Sequence, residues 1–230
     1  MRENRLAFPE IATESLRDKV IAVLKEAFFA GTLRAGDPIV ERHLASEMGI
    51  GTPAIREALV TLQEQGFVRR VANTGTYVNK FSADEVEQMF RLRIEIELLA
   101  FQWGKQLVVE SELRALEQIV EQIALAAEGK KAREFYELDL EFHRRCWALC
   151  GNKFLYRALE TLVAPLFAFV LNASMDTVTV AIAREHSNLI NALRRLEEPD
   201  LSAVVRRTLS GFALSAMKTM VHDSPRGEMP

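Results

Sequence analysis

The residues best equipped for chemistry are one aspartate and two histidines. Asp139 and His143 are four apart, so on a helix they share one face. Phe135, Leu138, Phe142 and Trp147 mark the apolar surface around them, and His186 recurs further along among Ile182, Leu189 and Ile190. A carboxylate and imidazoles facing an apolar interior are costly unless they are paired or ligated. Asp plus two His is a competent partial shell for Zn, Mn, Fe or Ni. The same trio also reads as a pocket in which His143 and His186 donate to an anion, or as a plain buried Asp–His hydrogen bond, which spacing by itself favours. Arg93 stands out as a guanidinium on an otherwise apolar helix. It is able to pair a carboxylate or to bridge Glu97 four residues on.

These residues fall in a stretch that reads as almost entirely helical. From Ser82 onward, six helices are predicted. The first carries Val86, Met89, Phe90, Ile94, Leu98 and Phe101 and is opened by a Ser82/Glu85 capping box. The second runs over Ser111–Glu128 with Ser111 as its cap, and the third over Lys131–Cys150. The fourth covers Lys153–Leu171 and is bent near Pro165. The fifth covers Thr179–Leu196 and the last Asp200–Val221. Residues 81–222 thus form an all-α bundle with its own core, and residues 223–230 a disordered tail.

The first 80 residues have a different texture. After a loose arm over residues 1–10, Ser15–Ala30 is helical, and Pro38–Val40 is extended. Glu41–Met48 and a second helix starting at Thr52 and Pro53 are joined through Gly49. Thr52 is the expected N-cap and Pro53 the first helical residue. Helix, glycine-bearing turn, helix is the pattern whose second helix enters the DNA major groove. Phe67–Val71 and Thr76–Val78, separated by an Asn/Gly turn, then read as a β-hairpin wing. Arg69 and Arg70 give it phosphate-binding charge. The fold class is therefore mainly α, a winged helix-turn-helix followed by a helical bundle.

Charge does not advertise nucleic-acid binding. The net charge is −3, and residues 1–80 carry 11 Lys+Arg against 10 Asp+Glu. Positive charge would have to be concentrated on the recognition helix and wing. No apolar run is long enough for a membrane span, and the N-terminus lacks the apolar core of a secretory signal, so a cytoplasmic protein is expected. Cys146 and Cys150, the two cysteines, read as buried thiols of a reducing compartment, since no second pair completes a zinc site.

The chain resembles the GntR family of bacterial transcription regulators. The residues carrying the likeness are Gly31-x-Leu33-x-x-Gly36, Glu41-Arg42-x-Leu44-Ala45 and Ile55-Arg56-Glu57-Ala58-Leu59, completed by Leu62, Gly66 and Gly75. The second half resembles the FCD effector domain of the FadR subfamily. The matching residues are Arg93-x-x-x-Glu97, Asp139-x-x-Phe142-His143, Gly151-Asn152 and Glu185-His186. The resemblance implies DNA contacts from Arg42, Arg56 and the backbone at Gly75. Where the family has Ser-Arg-Thr-Pro, this chain has Gly51-Thr52-Pro53-Ala54, so Thr52 replaces a base-reading arginine. Thr cannot grip guanine bidentately, which implies a different operator or weaker binding. The resemblance further implies that Asp139, His143 and His186 hold a divalent metal, and that Arg93, Asn152, His143 and His186 face a small organic-acid effector. Similar domains supply a third histidine from the last helix. Counting along that helix puts Thr208 or Gly211 at the position, and His222 falls too far along to reach.

The leading expectation is a homodimer that binds a pseudo-palindromic operator in double-stranded DNA and responds to a carboxylate effector, with no membrane partner. Repression and activation are both open. The alternatives are a metal-dependent enzyme on a helical bundle and a bundle used only for dimerisation. Against the enzyme, no nucleophile motif is present, and Glu141, two residues from Asp139, points away from it.

Overall fold

The structure is a computed structural model that describes residues 15–171, 179–195 and 199–222. Its N-terminal part starts with α1 (Leu16–Phe29), whose Ser15 hydroxyl accepts from the Asp18 amide. Strand β1 (Pro38–Ile39) leads into α2 (Glu41–Met48) and α3 (Thr52–Glu64). Strands β2 (Val68–Val71) and β3 (Gly75–Val78) form the wing. All pairing is antiparallel in the order β1-β3-β2, with Pro38 opposite Tyr77 and Arg70 opposite Thr76. The expected extended segment at Pro38 is therefore a third strand closing the wing sheet. Gly49 ends α2 at φ 65°, the left-handed turn that lets α3 set off at an angle. The N-cap of α3 is Gly51, not Thr52: Thr52 already lies inside the helix, and no side chain caps this end. Ile55, Ala58, Leu59 and Leu62 of α3 are buried against Val20, Leu24 and Phe28 of α1.

The bundle comprises α4 (Ala83–Lys105), α5 (Glu110–Glu128), α6 (Ala132–Ala148), α7 (Lys153–Leu166), α8 (Val180–Arg195) and α9 (Asp200–His222). The predicted capping box opens α4: Ser82 accepts from the Glu85 amide, and Glu85 accepts from the Ser82 amide at 2.7 Å. The N-cap of α5 lies two residues earlier than predicted. Val109 occupies its cap position, and the Val109 amide donates to Glu112 at 3.2 Å, so Ser111 is already helical. At Pro165 the predicted bend takes a specific form. Proline has no amide to donate, and the chain continues past Leu166 as a single π turn, π1 (Phe167–Leu171). The expectations for the N-terminal arm and the C-terminal tail lie outside the described residues.

The π turn is where the two parts meet. Phe169 packs on Phe28 (5.6 Å between ring centres), Phe67 (5.9 Å) and Phe81 (6.4 Å). Phe28 and Phe67 stack at 5.6 Å. The apolar core thereby runs without a break from α1 and the wing into the bundle. Gly66 sits at this seam with φ 76°, and a Cβ there would meet Pro165 Cγ at 3.2 Å. Gly66→Ala combines left-handed backbone with that crowding. It should lower stability by about 1 kcal/mol or more, read as a shift in the urea midpoint at unchanged slope. An unchanged midpoint would show that the seam is loose.

Candidate functional site

The first site is a cleft of about 710 Å³ between the wing and the start of α3. Arg42, Thr52, Arg56, Arg70, Asn73 and Gly75 are among its lining residues, so the structure brings all four expected DNA-contacting residues together. Asn73 (φ 60°) and Gly75 (φ 144°) shape the wing turn. Glu41, which the sequence analysis quoted only as part of the family motif, organises the cations. Its carboxylate accepts from Arg56 Nε at 2.6 Å and lies 3.7 Å from an Arg70 terminal nitrogen. Both arginine side chains remain more than half exposed, at 64% and 52%. Arg69 lies over the Tyr77 ring. A half-exposed pair of this kind is weak in stability terms, but it holds two guanidinium forks toward one groove.

The second site is a buried polar cluster in the bundle. Arg93 and Glu97 from α4, Asp139 and His143 from α6, and His186 from α8 are all at most 8% exposed. Arg93 Nε donates to Glu97 at 2.5 Å, and an Arg93 terminal nitrogen lies 3.1 Å from His143 Nε2. His143 Nδ1 is 3.1 Å from the second Glu97 oxygen. Those partners assign one tautomer: Nδ1–H donates to Glu97, and the Nε2 lone pair accepts from Arg93. His186 also has an acceptor beside Nδ1. Its Nδ1 is 2.9 Å from the Ala183 carbonyl, a pure acceptor, so it carries the proton. Its Nε2 then points at Asp139 Oδ1, 2.7 Å away, and His143 Nε2 is 3.6 Å from that same oxygen.

Two imidazole nitrogens and one carboxylate oxygen therefore converge. All lie within 4.8 Å of one another. Three electron-rich atoms facing each other away from water call for a positive charge between them. Arg93 supplies part of it. Burial pushes the Glu97 carboxyl up, but Arg93 and His143 more than offset this and hold it at about 2. Burial likewise raises Asp139, and His186 with its hydrogen bond outweighs it, so this carboxyl lies below its ordinary value. Burial lowers His143 against the pull of Glu97 and keeps it neutral, the form in which imidazole ligates metal. The donor set thus fits a divalent cation: Asp139, His143 and His186 would hold it, with Glu97 orienting His143 from behind. Such an ion would polarise an oxygen ligand by Lewis acidity.

Aromatic rings wall the cluster. Phe142 and Phe212 lie at 4.8 Å from the His186 ring, Phe167 at 5.9 Å from His143, and the Arg93 guanidinium over Phe167 at 5.3 Å. The buried Trp147 indole N–H, on the same face of α6, has no hydrogen-bond partner. Counting along the last helix misplaced the residue opposite His186. Thr208 is buried one turn away and Gly211 lies beside Glu185, whereas Phe212 stacks on the imidazole. The run Leu201, Val205, Leu209 and Ala213 fixes the buried face of α9 and carries the signal that counting missed. Asn152 is occupied elsewhere. Its side-chain oxygen caps α7, accepting from the Phe154 and Leu155 amides, and it lines a surface cleft with Trp103 and Leu107. Glu141 pairs with Arg145 on the surface. Both cysteines are buried and free.

Comparison with known proteins agrees with this architecture. Residues 16–78 match the description "Bacterial regulatory proteins, gntR family", and residues 88–211 match the FCD domain. The chain belongs to the GntR family. It is a transcription regulator with an N-terminal winged helix and a C-terminal FCD domain. It is 25% identical over 185 residues to the HTH-type transcriptional repressor RspR of Escherichia coli (strain K12), covering 80% of this chain and 81% of RspR. It is 28% identical over 174 residues to the HTH-type transcriptional regulator YdhC of Bacillus subtilis (strain 168), covering 75% and 78%. The solved structure of E. coli McbR/YncC superposes with a TM-score of 0.73 at 19% identity, over 91% of this chain and 97% of that one. Among the described residues of this GntR regulator, no helix is long and apolar enough to cross a membrane.

The buried pair carries a stability prediction. Arg93→Ala strands Glu97 and the inward His143 nitrogen without a cation. It should cost about 3–5 kcal/mol in chemical denaturation. A loss under about 1 kcal/mol would mean that water already reaches the cluster.

Proposed function

We propose that this regulator binds a pseudo-palindromic operator as a homodimer, and that a small carboxylate metabolite in the bundle modulates its affinity through a divalent cation. The observation that carries the effector half is the convergence of His143 Nε2 and His186 Nε2 on Asp139 Oδ1, with Arg93 alongside. Arg93 offers a fork to a carboxylate that the cation also attracts. The unpartnered Trp147 N–H adds a donor for a bound molecule. The names of relatives such as RspR and the gluconate operon repressor of Bacillus licheniformis support repression as the sign of the response.

For the DNA half, Arg56 and Arg70 reach the helix and wing sides of the groove-sized cleft, and Arg42 and Thr52 extend the contact. Dimerisation is supported by α4. Leu92, Leu99 and Trp103 recur at helical spacing on its exposed side with 41–51% of their surface in water, a stripe that a second copy would cover. Transmission has a physical route in π1. Phe167 touches the cluster while Phe169, two residues on, is embedded among the aromatic rings of the winged helix. A shift of the cluster would be delivered to the seam through one turn of backbone.

Fluorescence anisotropy on DNA upstream of the protein's own gene tests this reading. The expected result is a salt-sensitive complex. Arg56→Ala should weaken it and reduce the log–log salt slope by about 1. A panel of small organic acids with Mn²⁺ or Zn²⁺ should contain one that changes operator affinity at least about fivefold, an effect lost in Arg93→Lys. No salt-sensitive site anywhere in the genomic DNA would overturn the reading.

A further inference from the structure

We infer that Glu41 is a positioning residue for sequence readout: it aims the one guanidinium fork on the recognition helix and withholds charge from the cleft, and so favours the operator over unrelated DNA. This rests on the operator-binding reading above and adds the residue that sets its selectivity.

Arg56 is the single basic residue of α3, TPAIREALVTLQE. Thr52, at the start of that helix, has no fork to offer. Bidentate readout from α3 therefore falls to one long side chain, which is 64% exposed. A free arginine in water samples many rotamers and loses that freedom on binding. Glu41 removes part of this cost in advance. Its Oε2 accepts from Arg56 Nε at 2.6 Å, and Arg56 has no other hydrogen-bond or ion-pair partner among the described residues. The bond engages Nε and leaves both terminal nitrogens, the end that matches guanine O6 and N7 or a phosphate. The other carboxylate oxygen, Oε1, stands 3.7 Å from a terminal nitrogen of Arg70 on β2. One side chain thus ties the first residue of α2 to α3 and to the wing.

Charge points the same way. The charged residues lining the cleft are Arg42, Arg56, Arg70 and Glu41. A carboxylate among them repels phosphate wherever a duplex lands, which lowers affinity for every sequence. Stability does not account for its presence, because a pair with an arginine this exposed contributes little. The loss is recovered only where a base or phosphate meets the Arg56 fork in the direction Glu41 sets. The acid therefore weakens binding to unrelated DNA more than to the operator, and the ratio of the two affinities is what it raises.

The test uses the full-length protein and a duplex that it selects from a random library, with a shuffled duplex of the same composition as unrelated DNA. Anisotropy at one salt concentration gives the selected-to-shuffled affinity ratio for wild type, Glu41→Ala, Arg56→Ala and the double variant. Glu41→Ala should lower the ratio about tenfold, with the shuffled duplex bound as tightly as by wild type or tighter. In the Arg56→Ala background the same substitution should change the ratio less than about twofold, because no fork is left to aim. Glu41→Ser, too short to reach Nε, takes its place in the cycle with the same expectation if the alanine variant fails to fold by circular dichroism. An equal change on both duplexes overturns the inference and leaves Glu41 a plain charge or a structural residue. A ratio loss of equal size with and without Arg56 also overturns it, since Glu41 would then contact bases itself. If wild type enriches no sequence from the library, the operator-binding reading itself falls.

Discussion

The buried Arg93–Glu97 pair is the constraint on which the bundle depends. Both groups are out of water, and an ion pair in that setting repays its desolvation only when every remaining donor and acceptor is used. Here the accounting is done by His143, which accepts from Arg93 on one ring nitrogen and donates to Glu97 from the other. That double contact fixes the tautomer of His143 and the relative placement of α4 and α6. His186 is fixed in the same sense by a backbone carbonyl of its own helix. The electron-rich centre of the bundle is thus a consequence of how two protons are committed at its edge.

A centre of that kind is useful in a regulator because it is unfinished. The pairs that surround it are satisfied, and the 2.7 Å Asp139–His186 contact takes either a proton or a cation between its members. The aromatic wall excludes water and strengthens any electrostatic interaction formed inside. One of those walls, Phe167, belongs to the π turn that also delivers Phe169 to the winged helix. The proline that interrupts α7 is therefore part of the connection between the two halves. Residues two apart on a helical turn point to nearly opposite faces, so one turn carries both rings.

Much of this was legible from spacing. The i,i+4 relation of Asp139 and His143 and the helix-turn-helix punctuation at Gly49 and Pro53 need only local rules. The capping box at Ser82 is equally local. The family resemblance brought Arg93 and His186 to the same site. What escaped was non-local. The second contact of Glu97, across to His143, and the hold of Glu41 on two arginines depend on how helices and wing pack, and no spacing along one element reports it. Phe212 was missed by a helical turn from Thr208 and by one residue from Gly211, because the origin of the count lay in a connection whose length the sequence does not define. Asn152 was assigned to the effector from the family pattern, yet an asparagine just after a glycine and ahead of a helix has a local use as a cap.

Native mass spectrometry of the untagged protein, after incubation with Zn²⁺, Mn²⁺ or Ni²⁺ and buffer exchange, tests the central claim most directly. A cation-demanding cluster predicts a mass increment of one divalent ion per chain in wild type, absent from His186→Ala. A wild-type mass equal to the bare polypeptide with all three ions would contradict it, and would mean that a proton between Asp139 and His186 supplies the missing charge.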